Sequence, residues 1–255
     1  MSALEFDERT SRRVESTYLT ADVVRQRQVV RGTLALRPGE QVLDLGSGPG
    51  FLAVEMAQEV GADGVVCGID PAASMLVLAA RRSGGAVEFR RAGADRIPYP
   101  DGKFDVVVST QVFEYLEDVP GALAEVRRVL RPGGRLLLVD TDWDSIVWRS
   151  PDDALTARVL LAFEQHLVDA RLPRKLPAAL TAAGFRDVRT SVLPMLNVGY
   201  APDTFSEGLI ALITTFVVGR DGITAAEAEA WADGQRALGS DYFFSVNRYL
   251  FLATG

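Results

Sequence analysis

The stretch VLDLGSGPGF, residues 42–51, sets Gly46, Gly48 and Gly50 directly behind an apolar run that carries one acid, Asp44. Bare backbone at that spacing suits a strand-to-helix turn in which main-chain amides meet a ligand at close range. The spacing is G-x-G-x-G, with Phe51 after the last glycine, and so departs from the G-x-G-x-x-G of dinucleotide turns. Asp44 would also repel a pyrophosphate, whereas it suits a cationic or amine-bearing ligand. A second acid, Asp70, ends the next strand about 20 residues downstream, where a carboxylate can take two ribose hydroxyls. Together the turn and the two acids point to a nucleoside that is not a dinucleotide.

Candidates for proton transfer are few. His166 is the one histidine, in the helical stretch EQHLVDA, where such a residue is more often structural than catalytic. Glu114 and Tyr115 follow the fourth strand, and Asp140 and Asp142 end the fifth. Asp142 and Asp144 in DTDWDS read as loop acids at the strand ends where this fold class builds its sites. Trp143 and Trp148 beside them could line a pocket. Cys67, the single cysteine, reads as a small buried core residue and allows neither a disulfide framework nor a cysteine metal site.

These residues need elements to hold them. QVLDLG (41–46) reads as a buried parallel strand, and FLAVEMAQEV has helical spacing at Leu52, Met56 and Val60. The alternation continues with a strand at 64–70, a helix at 72–82, strands at 86–92 and 104–110, a helix at 120–130 and a strand at 135–140. Such βαβ order implies a parallel sheet covered by helices. Residues 7–34 read as helical, with Pro38 and Gly39 as the break. After residue 150 the spacing predicts helices near 152–169 and 173–183, then a strand in GFRDVRTSVLPML. The apolar helix over 201–218 is core or lid. A helix over 223–238 opens on Thr224 and Glu227 at capping-box spacing, and YFFSVNRYLFLAT closes the chain as an aromatic strand.

With 255 residues, 48% of them hydrophobic, the chain has enough apolar surface for one domain. The expected plan is a helical cap over 1–40, a ligand-binding core over 41–145, a pocket and lid region over 146–240 and the final strand over 241–255. A formal charge of −7 argues against nucleic acid, whose binders concentrate positive charge, and favours small molecules. The charged N-terminus has no apolar leader and no run is long enough for a membrane span, so a cytoplasmic protein is expected.

At this point the sequence resembles the class I S-adenosylmethionine-dependent methyltransferases, especially the ubiquinone/menaquinone biosynthesis and small-molecule natural-product branch. VLDLGSGPG looks like the family's first motif and GID (68–70) its ribose-binding acid. AGADRIPYPDGKFD (92–105) looks like its adenine loop and fourth strand, and LAEVRRVLRPGGRLLLVD (123–140) its last core motif. The resemblance covers about residues 15–145. It implies an α/β fold: a Rossmann-like, doubly wound seven-stranded sheet, mostly parallel with one antiparallel strand, with an N-terminal helical cap and a helical lid insertion. The implied cofactor is S-adenosyl-L-methionine, with no metal. Carried over, Gly46, Ser47 and Gly48 would line the methionine moiety, Asp44 would meet its ammonium, and Asp70 would take the ribose diol. The family's adenine loop reads G-D-A where this chain has Ala92-Gly93-Ala94 and then Asp95, so the acid expected at position 93 is missing. Either Asp95 reaches back to the adenine amine, or the Ala94 amide and packing against Pro71 and Ile97 hold the ring. Thr110 and Gln111 would face the methionine carboxylate or the methyl group, and Tyr18 resembles an aromatic that closes over the cofactor.

The implied reaction is methyl transfer to a small organic acceptor at oxygen, carbon or nitrogen. The Phe, Leu, Ile and Trp content of residues 141–220 suggests an apolar or aromatic one. A base is needed only if the accepting atom must lose a proton, and His166, Asp142 and Glu114 are then the catalytic candidates. Residues 1–34 and the helix over 203–218 are expected to cover the pocket. A homodimer remains open. An oxidoreductase reading falls, since Tyr99 and Lys103 have Y-x-x-x-K spacing but enclose a Pro-Asp-Gly turn. Arsenite as acceptor would need several thiols. The surviving alternative is a non-catalytic cofactor-binding protein with a regulatory or scaffolding role.

Overall fold

The structure, a computed structural model, describes residues 15–255. Seven strands form one sheet in the order β3-β2-β1-β4-β5-β7-β6. β1 (Gln41–Leu45), β2 (Val65–Asp70), β3 (Glu88–Arg91), β4 (Phe104–Thr110) and β5 (Leu130–Trp148) run parallel. β7 (Phe243–Thr254) lies antiparallel between β5 and β6 (Arg186–Val198), so it is the single reversed strand.

The central strands are buried on both faces, as their continuous apolar runs require. Leu43, Ile69, Val107 and Leu138 face one side, packed with α4 (Val119–Val129) and α6 (Leu176–Ala182). Val42, Val66, Val106 and Leu137 face the other, packed with α1 (Ala21–Leu34) and α2 (Phe51–Val60). α3 (Ala73–Ser83) connects β2 to β3. A further aromatic core holds Trp143, Trp148, Phe163, Trp231 and Phe244 between the sheet and α5 (Asp153–Glu164), α7 (Phe205–Phe216) and α8 (Ala225–Ala237). α8 opens with the expected capping box: the Glu227 amide donates to the Thr224 hydroxyl at 3.2 Å, and the Thr224 amide to the Glu227 carboxylate at 2.9 Å.

Two expectations need correction. The helix expected over 7–34 breaks at Leu19 and Thr20, whose amides turn back to the carbonyls of Ser16 and Thr17; its first residues lie outside the described chain. β5 does not end at residue 140. It continues to Trp148 because the long β7 offers partners at Ser245 and Phe244, with a register shift between Asp142 and Val147. DTDWDS is therefore a bulged strand and not a loop. The helix expected as core or lid is α7, and its Leu209, Ile210 and Ile213 are buried in the aromatic core. Among the described residues no helix is long and apolar enough to cross a membrane.

Candidate active site

The turn after β1 is pinned to β2, since the amides of Gly46 and Ser47 both donate to the Ile69 carbonyl, at 2.8 and 2.9 Å. Its glycines do different work. A Cβ on Gly46 would run into the Val112 side chain, and one on Gly50 would meet Ala79 and Phe89 at 2.8 and 3.0 Å. Those two positions are bare because protein packs against them. At Gly48 the sole neighbour within 4 Å is the Tyr18 side chain, its hydroxyl 3.2 Å away. Gly48 has φ +51°, a conformation that costs a side-chain-bearing residue about 1–2 kcal/mol. Of the three, Gly48 alone presents backbone that only the Tyr18 side chain approaches.

Around Gly48 the polar groups are arranged for a ligand. Asp70 accepts from the Gly48 amide at 2.9 Å and from the Ala72 amide at 2.8 Å. One carboxylate oxygen of Asp44 and the hydroxyl of Ser47 are buried without a partner. Burial, with Asp70 adding repulsion, pushes the Asp44 carboxyl up to about 7. Burial likewise raises Asp70. An orphaned buried acid of this kind is costly unless a donor meets it, and an ammonium group fits. Tyr18 stacks on Phe51 with ring centroids 5.7 Å apart, and burial lifts its phenol to about 12.

Past the ends of β2 and β3 Ala94 and Ile97 are buried, and the Pro71 carbonyl accepts from Arg91 at 3.0 Å. The Asp95 carboxylate folds over Gly93, occupying the space where a side chain at 93 would begin. The Asp95 carboxylate therefore lies beside position 93, where the family's acid is missing.

Beyond β4, Gln111 holds a left-handed backbone, φ +58°, an uncommon state that clusters at functional sites. Its amide donates to the Val139 carbonyl at 2.7 Å, and its side-chain oxygen accepts from the Thr141 hydroxyl at 2.5 Å. Gln111 and Thr110 form one wall of a cavity of about 150 Å³. Phe205, Leu209 and Leu212 of α7 roof it, Tyr18 and Gln26 close one side, and Arg248 reaches it from β7.

Behind that wall lies a buried acid pair. Asp140 accepts from the amides of Val112 and Glu114 at 3.2 and 3.4 Å. Glu114 accepts from the Thr141 amide at 3.3 Å and the Trp143 indole at 3.1 Å, leaving its other oxygen without a partner. Burial pushes Glu114 to about 7, against the pull of the Trp143 indole and the Arg248 charge. Asp140 is driven well above the carboxylate range by burial and by Glu114.

The other two base candidates sit elsewhere. Asp142 is gripped by Arg174 through two contacts of 2.8 and 3.0 Å, away from the cavity lining. His166 is buried among Trp143, Phe163 and Phe216, its Nδ1 engaged with the Phe163 carbonyl. Burial lowers its imidazole to about 4, so it is a neutral core residue at pH 7 and a weak proton acceptor. Trp143 joins the groups, packing on His166 while donating to Glu114.

Arg248, Gln26 and Val112 escaped the sequence reading. For Arg248 a signal was present. Phe244, Val246 and Leu250 are the inward residues of β7, and Arg248 takes an inward place in the same period-two series.

A ligand site at the carboxyl ends of β1, β2 and β4, on a doubly wound sheet, defines a Rossmann-like nucleoside-binding protein. Comparison with known proteins narrows this. Residues 43–138 match a methyltransferase domain family. The chain is 32% identical over 243 residues to an uncharacterized 37.1 kDa protein in transposon TN4556 of Streptomyces fradiae, covering 92% of this chain and 68% of that one. It is 35% identical over 111 residues to a 2-phytyl-1,4-naphtoquinone methyltransferase of Synechococcus elongatus, covering 42% of this chain and 48% of that one. The chain thus spans less than half of that curated methyltransferase. Among solved structures, phosphoethanolamine N-methyltransferase 2 of Haemonchus contortus in complex with S-adenosyl-L-methionine superposes with a TM-score of 0.66 at 17% identity, covering 98% of this chain and 58% of that one. The chain belongs to the class I S-adenosylmethionine-dependent methyltransferases, and its cofactor is S-adenosylmethionine. The residues present fit it: an open Gly48 backbone, an unpartnered buried Asp44 oxygen and Asp70 at the end of β2.

Proposed function

We propose that the protein transfers the cofactor's methyl group to a small organic acceptor seated in the cavity beneath α7. The observation that carries this reading is the cavity's position. It is lined by Thr110 and Gln111 at the end of β4 and by Tyr18 over Gly48, so a molecule inside lies beside the end of the turn assigned to the methionine moiety.

In this reading Asp44 and Ser47 meet the methionine moiety, Asp70 the ribose, and Ala94 with Asp95 the adenine. When bound, the cofactor supplies a sulfonium-activated methyl carbon. The protein's part is then alignment: Gln111 and Thr110 fix the wall nearest the reaction, and Tyr18 with the α7 roof keeps water out. Well-aligned approach can supply about 7–11 kcal/mol. If the accepting atom must lose a proton, Glu114 is a better acceptor than His166, since burial holds it near 7 while His166 is held near 4, and Asp142 is paired with Arg174 away from the cavity lining. Glu114 sits behind the cavity wall, which makes its help indirect.

The test is turnover of methyl-labelled cofactor against a panel of small aromatic and aliphatic acceptors. Acceptor-dependent formation of S-adenosylhomocysteine, with a product heavier by one methylene unit, is expected. Tight cofactor binding with no turnover across the panel would instead favour a regulatory or scaffolding relative.

A further inference from the structure

Arg248 is 5% exposed and projects from the middle of β7, opposite Thr141. A buried guanidinium normally pairs with a carboxylate, because an unpaired charge away from water is expensive. Here, among the described residues, it has no ion pair. Its one hydrogen-bond acceptor is the neutral Gln26 side chain, its Nε is buried with no partner, and its plane lies over the Phe205 ring at 4.6 Å. Glu114 and Asp140 lie near enough to be felt electrostatically, but each is bonded to other donors through one oxygen and keeps its second oxygen buried without a partner, so neither hydrogen-bonds Arg248. Burial accordingly lowers the guanidinium to about 10. The cation borders the cavity under a roof of Phe205, Leu209 and Leu212.

We infer that Arg248 is the specificity residue of the acceptor site, and that the acceptor carries a compact carboxylate on an apolar body. A carboxylate matches the fork of guanidinium donors, and the roof suits the remainder of such a molecule. This rests on the methyl-transfer reading, and it adds a carboxylate to the expected apolar or aromatic acceptor. The same chemistry is present in the cofactor's own methionine carboxylate, so the experiment separates the two.

Titration calorimetry at pH 7.5, in saturating S-adenosylhomocysteine, would compare matched acids and amides: benzoate with benzamide, phenylacetate with phenylacetamide, 3-methylbutanoate with 3-methylbutanamide. At least one acid should bind about tenfold or more tightly than its amide. Arg248→Gln should abolish that preference and Arg248→Lys retain part of it, with S-adenosylhomocysteine affinity unchanged within about twofold. Absence of any acid preference in the unaltered protein would overturn the inference, whatever the variants do. So would a preference that survives Arg248→Gln, or a tenfold loss of S-adenosylhomocysteine affinity in that variant, which would assign the arginine to the cofactor. Failure of the unaltered protein to bind S-adenosylhomocysteine would remove the methyl-transfer reading itself.

Discussion

Asp44 offers a quantitative handle on cofactor binding. Its carboxyl is held at about 7 by burial and by Asp70. If a cofactor ammonium meets it, the bound-state value should return toward the ordinary 3.8. Binding below pH 7 must then expel a proton. With free and bound values of about 7 and about 4, the apparent affinity falls about fivefold from pH 7 to 6 and about fiftyfold from pH 7 to 5, or ~2.3 kcal/mol. Calorimetry of S-adenosylhomocysteine binding at pH 6, in buffers of different ionisation enthalpy, should show about 0.9 proton released per site. Asp44→Asn should bind more weakly, release almost none and lose most of the pH slope. No proton release at pH 6, or an unchanged slope in Asp44→Asn, would refute the assignment. The same acid affects the fold: a raised carboxyl costs nothing below its unfolded value and its full penalty above about 7, so Asp44→Asn should gain stability as pH rises through that interval.

Other outcomes follow from the same geometry. Gly46→Ala should lose about 2–4 kcal/mol of stability, because it combines a positive φ with collision against Val112, while Gly48→Ala should lose about 1–2 and chiefly weaken cofactor binding; denaturant melts with calorimetry would show whether the two separate. His166 carries the opposite pH sign to Asp44. Its imidazole is depressed from 6.5 to about 4, so its contribution is intact above pH 6.5 and is lost as pH falls, by about 3 kcal/mol near pH 4; His166→Phe should flatten that limb of the stability profile. Glu114→Gln should lower turnover by less than about 10²-fold at saturating cofactor, and a loss near 10⁴ with a matching pKa in the rate profile would make it an essential base.

The cofactor half was legible because its signals are local. β1, β2 and β4 are short apolar runs, and the turn between β1 and α2 needs glycine at three near-adjacent positions. What each glycine serves was not legible, since Val112 reaches Gly46 from another strand's end and Ala79 reaches Gly50 from α3. The exchange at 93 and 95 could be posed from the sequence as a choice, but the position of the Asp95 carboxylate depends on a loop conformation that spacing does not encode. His166 and Asp142 looked alike as titratable groups. Burial among aromatic rings and capture by Arg174 separate them, and both depend on contacts between distant segments. The length of β5 was hidden because its last residues pair only when β7, about a hundred positions later, lies beside them.

That shared strand pair has a mechanical consequence. β5 and β7 run as a common beam through the cofactor core and the aromatic core, so the two halves cannot part like jaws without breaking ladder hydrogen bonds. Any widening of the cavity has to be a local yielding of its rim. At that rim α7 packs closely on the chain around Thr17, since a Cβ on Gly208 would stand 2.7 Å from the Thr17 hydroxyl and Tyr18 follows at once. Tyr18 is common to both places, lying over Gly48 and lining the cavity, so a displacement of that one side chain would uncover the turn and the cavity together.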